Sequence, residues 1–275
     1  NISGGIDIYR RDFNSFNFTG NNRNTTFEQA TTGFSMRAGV PLTEYMSLVG
    51  SYTLNYEDVS LDENLFFSDI DGNGTLECDP LRAGRFLCDA IGTRLSSIVG
   101  LSLNYNSLNS RIRPTRGKTI SLSGEFAGLG GDVRYVRFRG RGQQFWNVGN
   151  SGFIFSILAE GGTIIPLQER PGAGVDDVLL TDRFFLGEPQ FRGFAIRGVG
   201  PRILTQTSQL DGTGRPILDA NGNITFFTDR NQVRDDAIGG RNYYLGRAEL
   251  EIPLGTGARE LGLRPSIWAD VGALW

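Results

Sequence analysis

Residues 46–56 alternate in character. Met46, Leu48, Gly50, Tyr52, Leu54 and Tyr56 hold the even positions, and Ser47, Val49, Ser51, Thr53 and Asn55 the odd ones. The same period recurs at 34–42, 99–106 and 119–126; in the last, Ile120, Leu122, Gly124 and Phe126 oppose Thr119, Ser121, Ser123 and Glu125. Within 134–143, Val136 and Phe138 share one side, and Arg137, Arg139, Arg141 and Gln143 the other. A period of two gives an extended strand one apolar and one polar face. Further strands are predicted at about 4–13, 133–147, 153–166, 242–253 and 263–274, making about nine in all. Short polar turns such as Pro41–Tyr45 and Arg113–Lys118 join most of them, and the segments 57–95 and 167–240 are the long exceptions.

A soluble sandwich would give the same alternation, with its polar face in water. Strand length separates the two. Soluble strands usually run about five or six residues, whereas a membrane-crossing strand takes about 9–11. The predicted strands reach ten or more, which favours an antiparallel transmembrane β-barrel of long strands, short turns and long loops. No run approaches the roughly 20 apolar residues of a spanning helix. No helical domain, internal repeat or low-complexity linker interrupts the pattern. The chain reads as a single barrel domain over 1–275.

Composition agrees: 38 glycines and 19 phenylalanines against two methionines suit strands and turns. With 27 Lys+Arg against 30 Asp+Glu, the net charge is −3, which argues against nucleic acid as a partner. The absence of histidine excludes a Ser-His-Asp triad and any histidine-based zinc site. Cys78 and Cys88 lie ten residues apart in a polar stretch; a local disulfide is favoured over two thiols, and would imply an oxidising compartment.

Residues 186–202, LGEPQFRGFAIRGVGPR, are too rich in Gly and Pro for a helix or strand and too apolar for a solvated linker. A phosphate-cradling loop would need a following GK[ST] and a helix, and neither is present. A basic nucleic-acid patch should recur elsewhere with stacking aromatics. An ordered loop inside something larger is left.

The run resembles a known family. QFRGF followed by GVGPR is similar to the signature loop of BamA-type outer-membrane insertases, whose core is Val-Arg-Gly-Phe/Tyr. Phe191 replaces the usual Val, while Arg192, Gly193 and Phe194 match. GRNYYLGRAELEIPL (240–254) resembles the family's next strand, with Glu249, and SIWADVGALW (266–275) the one after, with Trp268, Asp270 and Gly272. The resemblance implies a barrel, here about nine of an expected sixteen strands, with POTRA modules preceding it. No such module is visible in the sequence, so it reads as a fragment or a part of a larger assembly. The resemblance further implies that loop 167–240 folds into the lumen, where Arg192 docks on acidic wall residues, Gly193 allows a sharp turn, Phe194 packs, and Gly198, Gly200 and Pro201 complete the motif. Parity within this sequence supplies acceptors: Glu249 shares a face with Tyr243, Arg247 and Glu251, and Asp270 with Arg264, Ser266 and Gly272.

The implied function is that of a non-enzymatic insertase in the bacterial outer membrane. Its partners would be nascent β-barrel clients, periplasmic accessory lipoproteins and chaperones, and outer-membrane lipid. A related secretion transporter and a passive porin stay open as alternatives. The segment 57–95 would be a long extracellular loop.

Within that segment, DIDGNGTLECDP (69–80) has the start of a calcium loop. Asp69, Asp71, Asn73 and Thr75 stand at ligand spacing around Gly74. Pro80 occupies the position of the usual bidentate glutamate, so a polar Asx/Gly turn is favoured over Ca2+, and no other cofactor is expected. LDANGNI (218–224) reads as a hairpin turn. The pairs Asp176–Asp177 and Asp235–Asp236 invite a hydrolase reading, but without histidine, nucleophile elbow or cofactor loop they read as solvated loop charge.

Overall fold

The computed structural model describes residues 2–19, 22–70, 72–149, 151–170, 176–206, 209, 211, 216–227, 233–254 and 263–275. Its strands, in chain order, are β1 (Ser3–Thr19), β2 (Asn22–Pro41), β3 (Met46–Leu61), β4 (Phe67–Ser68), β5 (Glu77–Cys78), β6 (Gly92–Asn106), β7 (Gly117–Gly131), β8 (Tyr135–Val148), β9 (Phe153–Pro166), β10 (Arg202–Gln206), β11 (Val233–Ala237), β12 (Asn242–Glu251) and β13 (Ser266–Leu274). Nine of them form one sheet in the order β1-β2-β3-β6-β7-β8-β9-β12-β13. Every neighbouring pair in that wall is antiparallel. No helix among the described residues is long and apolar enough to cross a membrane.

The two faces differ as the alternation requires. One carries exposed apolar side chains, among them Ile8, Leu101, Leu122, Phe138, Ile157 and Val271. An apolar belt of this extent needs lipid against it, because water-facing patches on soluble proteins stay far smaller. The opposite, inner face holds the buried core. Tyr135, Leu158, Ile164, Tyr243, Leu245 and Leu274 from the wall pack there against Val178, Phe184, Leu186 and Phe191 of the long loop 167–241. The wall therefore uses one face for lipid and the other to seat its own loop.

The strands are longer than the alternation indicated. β3 continues to Leu61 and β6 begins at Gly92, so the connection predicted at 57–95 is confined to 62–91. At the end of β3 the pattern inverts: Val59 and Leu61, on odd and inward positions, are buried, while Asp58 and Ser60 take the even ones. Above the apolar belt the outward side chains become polar, and the inward ones pack beneath the 62–91 segment. The other long connection is not structureless either. It contains a short 3-10 turn at Leu180–Asp182 and the β10–β11 pair.

The 62–91 segment folds into a small cap. Three single-turn helices, α1 (Glu63–Phe66), α2 (Pro80–Ala83) and α3 (Arg85–Cys88), and the β4–β5 pair surround a cluster of Leu61, Phe66 and Ala83. Cys78 and Cys88 are joined by a disulfide within this cluster, their Cα atoms 5.6 Å apart. Closing so short a loop stabilises it by about 2–3 kcal/mol through the unfolded chain. Cys78→Ser is accordingly expected to make 62–91 sensitive to limited proteolysis while the wall strands stay resistant. Equal resistance in reduced and oxidised protein would contradict this.

The hairpin turn predicted at 218–224 is present. Leu218 and Ile224 form a bridge, and the Gly222 N–H donates to the Asp219 carbonyl at 3.0 Å. Backbone N–H groups of Asn223 and Asn221 hold the Asp219 carboxyl below its ordinary range.

Candidate loop-docking site

The register of the last two wall strands sets the site. Arg247 of β12 lies directly opposite Asp270 of β13, Glu249 opposite Trp268, and Leu245 opposite Gly272. Alternation sends these pairs to the inner face, giving a patch with one cation and two anions before the loop arrives.

The loop supplies the second cation. Arg192 reaches Glu249 through Nη1 at 3.1 Å, and Asp270 through Nη2 at 3.1 Å and Nε at 3.3 Å. Arg247 grips the same aspartate with Nε at 2.8 Å and Nη2 at 2.7 Å, and its Nη2 also donates to the Gln190 carbonyl at 2.9 Å. The Arg192 guanidinium lies 4.0 Å from the centre of the Trp268 ring. Asp270 thus accepts two planar forks while its side chain is 1% exposed, and two charges of each sign balance. A planar guanidinium suits this geometry, and an ammonium would not reproduce it. Next to it, Gln190 Nε2 donates to Glu160 of β9 at 2.6 Å, and the Tyr243 hydroxyl donates to the same oxygen at 2.8 Å. The loop apex is held by β9, β12 and β13 together.

Two glycines are required for steric reasons. Gly193 has φ of 85° in open space, so its backbone conformation selects glycine. At Gly272 the demand is for room: an added Cβ would lie 2.8 Å from the Tyr244 carbonyl oxygen and 3.1 Å from the Phe191 ring. Phe191 is the buried aromatic of the motif, at 4% exposure, and Phe194, expected to pack, is 45% exposed. Phe194 packs on Phe191 with the rings tilted by 46° and their centres 4.5 Å apart. Gly198 N–H donates to the Ala195 carbonyl at 2.8 Å, Gly200 lies against Leu274, and the Pro201 carbonyl accepts from Ile238 at 3.1 Å. Arg197 covers the Phe185 ring at 4.4 Å, and Arg202 donates to the Arg197 carbonyl.

A second charged cluster, which the sequence did not disclose, holds the other foot of the loop. Asp182 accepts from Arg94 of β6 at 2.8 Å and lies 3.8 Å from Arg137 of β8. Arg94 also pairs with Glu57 of β3, and Arg137 with Glu125 of β7. Arg183 turns the other way, onto Asp176 at 3.1 Å and the Val178 and Ile238 carbonyls. Burial lowers its pKa from the ordinary guanidinium value. Asp176, expected to be solvated, is therefore an ion-pair partner of Arg183 and of Arg241, because the loop folds back on itself there. Asp177 accepts from the Arg170 N–H at 3.0 Å. For Asp235–Asp236 the structure gives only their place in β11.

In the Asp69–Pro80 stretch, Asp69 accepts from the Gly74 N–H at 3.0 Å and Asn73 from the Thr75 N–H at 2.7 Å and the Thr75 hydroxyl. Asp71 lies outside the described residues. Among the described residues no group of three or more acidic or cysteine side chains is gathered as a metal would require.

The model of the Omp85 superfamily domain matches residues 3–275. The chain belongs to the Omp85 superfamily. This Omp85 chain is 30% identical over 183 residues to the outer membrane protein assembly factor BamA of Neorickettsia risticii (strain Illinois), covering 66% of the chain and 20% of that relative. It is 31% identical over 169 residues to the human sorting and assembly machinery component 50 homolog, covering 59% of the chain and 27% of the relative. The chain thus spans about a fifth to a quarter of the length of these curated relatives. Among solved structures, Haemophilus ducreyi BamA lacking POTRA domains 1–3 superposes with a TM-score of 0.67 at 17% identity, over 100% of the chain and 46% of that structure. CdiB from Acinetobacter baumannii superposes less well, with a TM-score of 0.53 at 10% identity over 98% of the chain and 37% of that structure. The shared feature with both is the fold: the nine-stranded Omp85 sheet is part of a barrel wall.

Proposed function

We propose that this chain forms part of the wall of a bacterial outer-membrane insertase, which folds and inserts other β-barrel proteins without covalent chemistry. Clients would be nascent β-barrel proteins, with periplasmic lipoproteins and chaperones as accessory partners and the outer-membrane lipid as solvent. The names of the two relatives, both assembly components, support this reading. The observation that carries it is the loop latched across the inner face by Arg192. A passive porin would need an open lumen, whereas here an apolar core and two charged clusters, one on β12–β13 and one on β3 and β6–β8, seat the loop on the inner face of the wall. Such a wall is stiff on one side, as suits a scaffold that presents strand edges for client pairing. A secretion transporter could share the wall, and superposition on CdiB supports that reading less well than superposition on BamA supports the first.

The test uses the full-length protein in proteoliposomes with an unfolded β-barrel client. Folded, heat-resistant client should accumulate with the native protein and fall several-fold with Arg192→Ala. Client folding at the protein-free rate, together with ion flux typical of an open pore, would overturn the proposal.

A further inference from the structure

We propose that the turn between β6 and β7 is a docking surface for the anionic phospholipid headgroups of the adjoining leaflet. This goes beyond the insertase reading and needs only a membrane-spanning wall. The turn runs from Ser107 to Arg116, and the stretch 111–118 places Arg111, Arg113, Arg116 and Lys118 within eight residues. No carboxylate occurs between 107 and 118. Among the described residues, none of the four cations pairs with an acidic side chain. Ile112, between two of the arginines, is 86% exposed.

The turn is built to present these groups. Asn109 accepts from the Thr115 and Arg116 N–H groups at 3.0 and 3.1 Å and donates to the Thr115 hydroxyl at 2.9 Å. Ser110 caps the Arg113 N–H at 3.1 Å. The backbone is therefore fixed by its own short polar side chains, and the three exposed arginines are left for an outside partner.

Its level along the barrel is marked by aromatics. The Tyr45 and Tyr105 rings lie 6.3 Å apart at this end, with the Lys118 ammonium 5.3 Å from the Tyr105 centre, and Trp146 stacks on Phe155 at 5.7 Å. Aromatic girdles of this kind sit at the headgroup level. Cations there gain about 1 kcal/mol each from an anionic leaflet. At the opposite end, segment 62–91 has the reverse character, with seven carboxylates against two arginines.

The experiment compares the full-length protein with R111Q/R113Q/R116Q/K118Q in nanodiscs of mixed phosphatidylglycerol and phosphatidylcholine, counting retained lipid by native mass spectrometry. The native protein should retain phosphatidylglycerol preferentially, and the variant should lose that preference by about tenfold or more. A lysine-for-arginine variant should keep it. If the neutral variant does not fold, a salt titration of the native protein decides, since the preference should fade as the screening length drops to about 3 Å at 1 M salt. No phosphatidylglycerol preference in the native protein, or the same preference in a folded neutral variant, would overturn the proposal. So would loss of a co-purifying acidic protein with the lipid preference intact.

Discussion

Asp270→Ala is expected to destabilise the barrel by about 3–5 kcal/mol, the range for removing one partner from a buried charged cluster. Arg192 and Arg247 both terminate on this carboxylate. Its loss leaves two guanidiniums facing each other with Glu249 alone for compensation, around a carboxylate position that is 1% exposed. Glu249→Gln makes the contrast. That side chain is 29% exposed and contacts one nitrogen of Arg192, so the expected loss is about 1 kcal/mol, near the value for a partly solvated pair. Urea midpoints of the full-length protein in vesicles would measure both. Equal effects at the two positions would show that the latch is a surface ion pair.

The second large effect is expected from Arg94→Ala. Arg94 is the link between Glu57 on β3 and Asp182 in the loop, and all three side chains are nearly buried. Removing it leaves Glu57 without its arginine and Asp182 with only the 3.8 Å contact to Arg137, again for about 3–5 kcal/mol. The two clusters hold different feet of the loop and share no residue, so their effects on wall stability should add. Release of the loop should behave differently, with either single change leaving it tethered and the double change freeing it. Cleavage of loop 167–241 by a protease added from outside separates the cases. Full cleavage in the Arg94→Ala protein alone would contradict a two-footed brace.

Strand parity was enough to bring Glu249 and Asp270 to one face, because it needs only local alternation. Arg247 shares that parity, yet its role depends on standing opposite Asp270, and a cross-strand register cannot be read from one strand. The Asp182–Arg94 contact joins residues 88 apart, with nothing local to announce it. Phe191 and Phe194 were assigned by motif, and their exposures followed from how the loop turns at Gly193. The nine wall strands were legible in number; their ends were not, because polarity inverts where a strand leaves the lipid, as at Val59 and Leu61. Asp176 read as solvent-facing for the same reason that loops usually do, and was paired by the fold-back that brings Arg183 and Arg241 to it.

The central claim is that residues 186–200 are an ordered part of the inner wall. Hydrogen exchange of backbone amides in the full-length protein tests it most directly. The N–H groups of Phe191, Gly198 and Val199 donate within the loop to Gly187, Ala195 and Leu186, and that of Arg192 faces Asp270. These amides should exchange slowly in the native protein, within reach of the β12 amides, and should lose protection together in an Arg192→Ala, Arg94→Ala double variant. Exchange of the native amides at the rate of an unstructured chain would contradict the account.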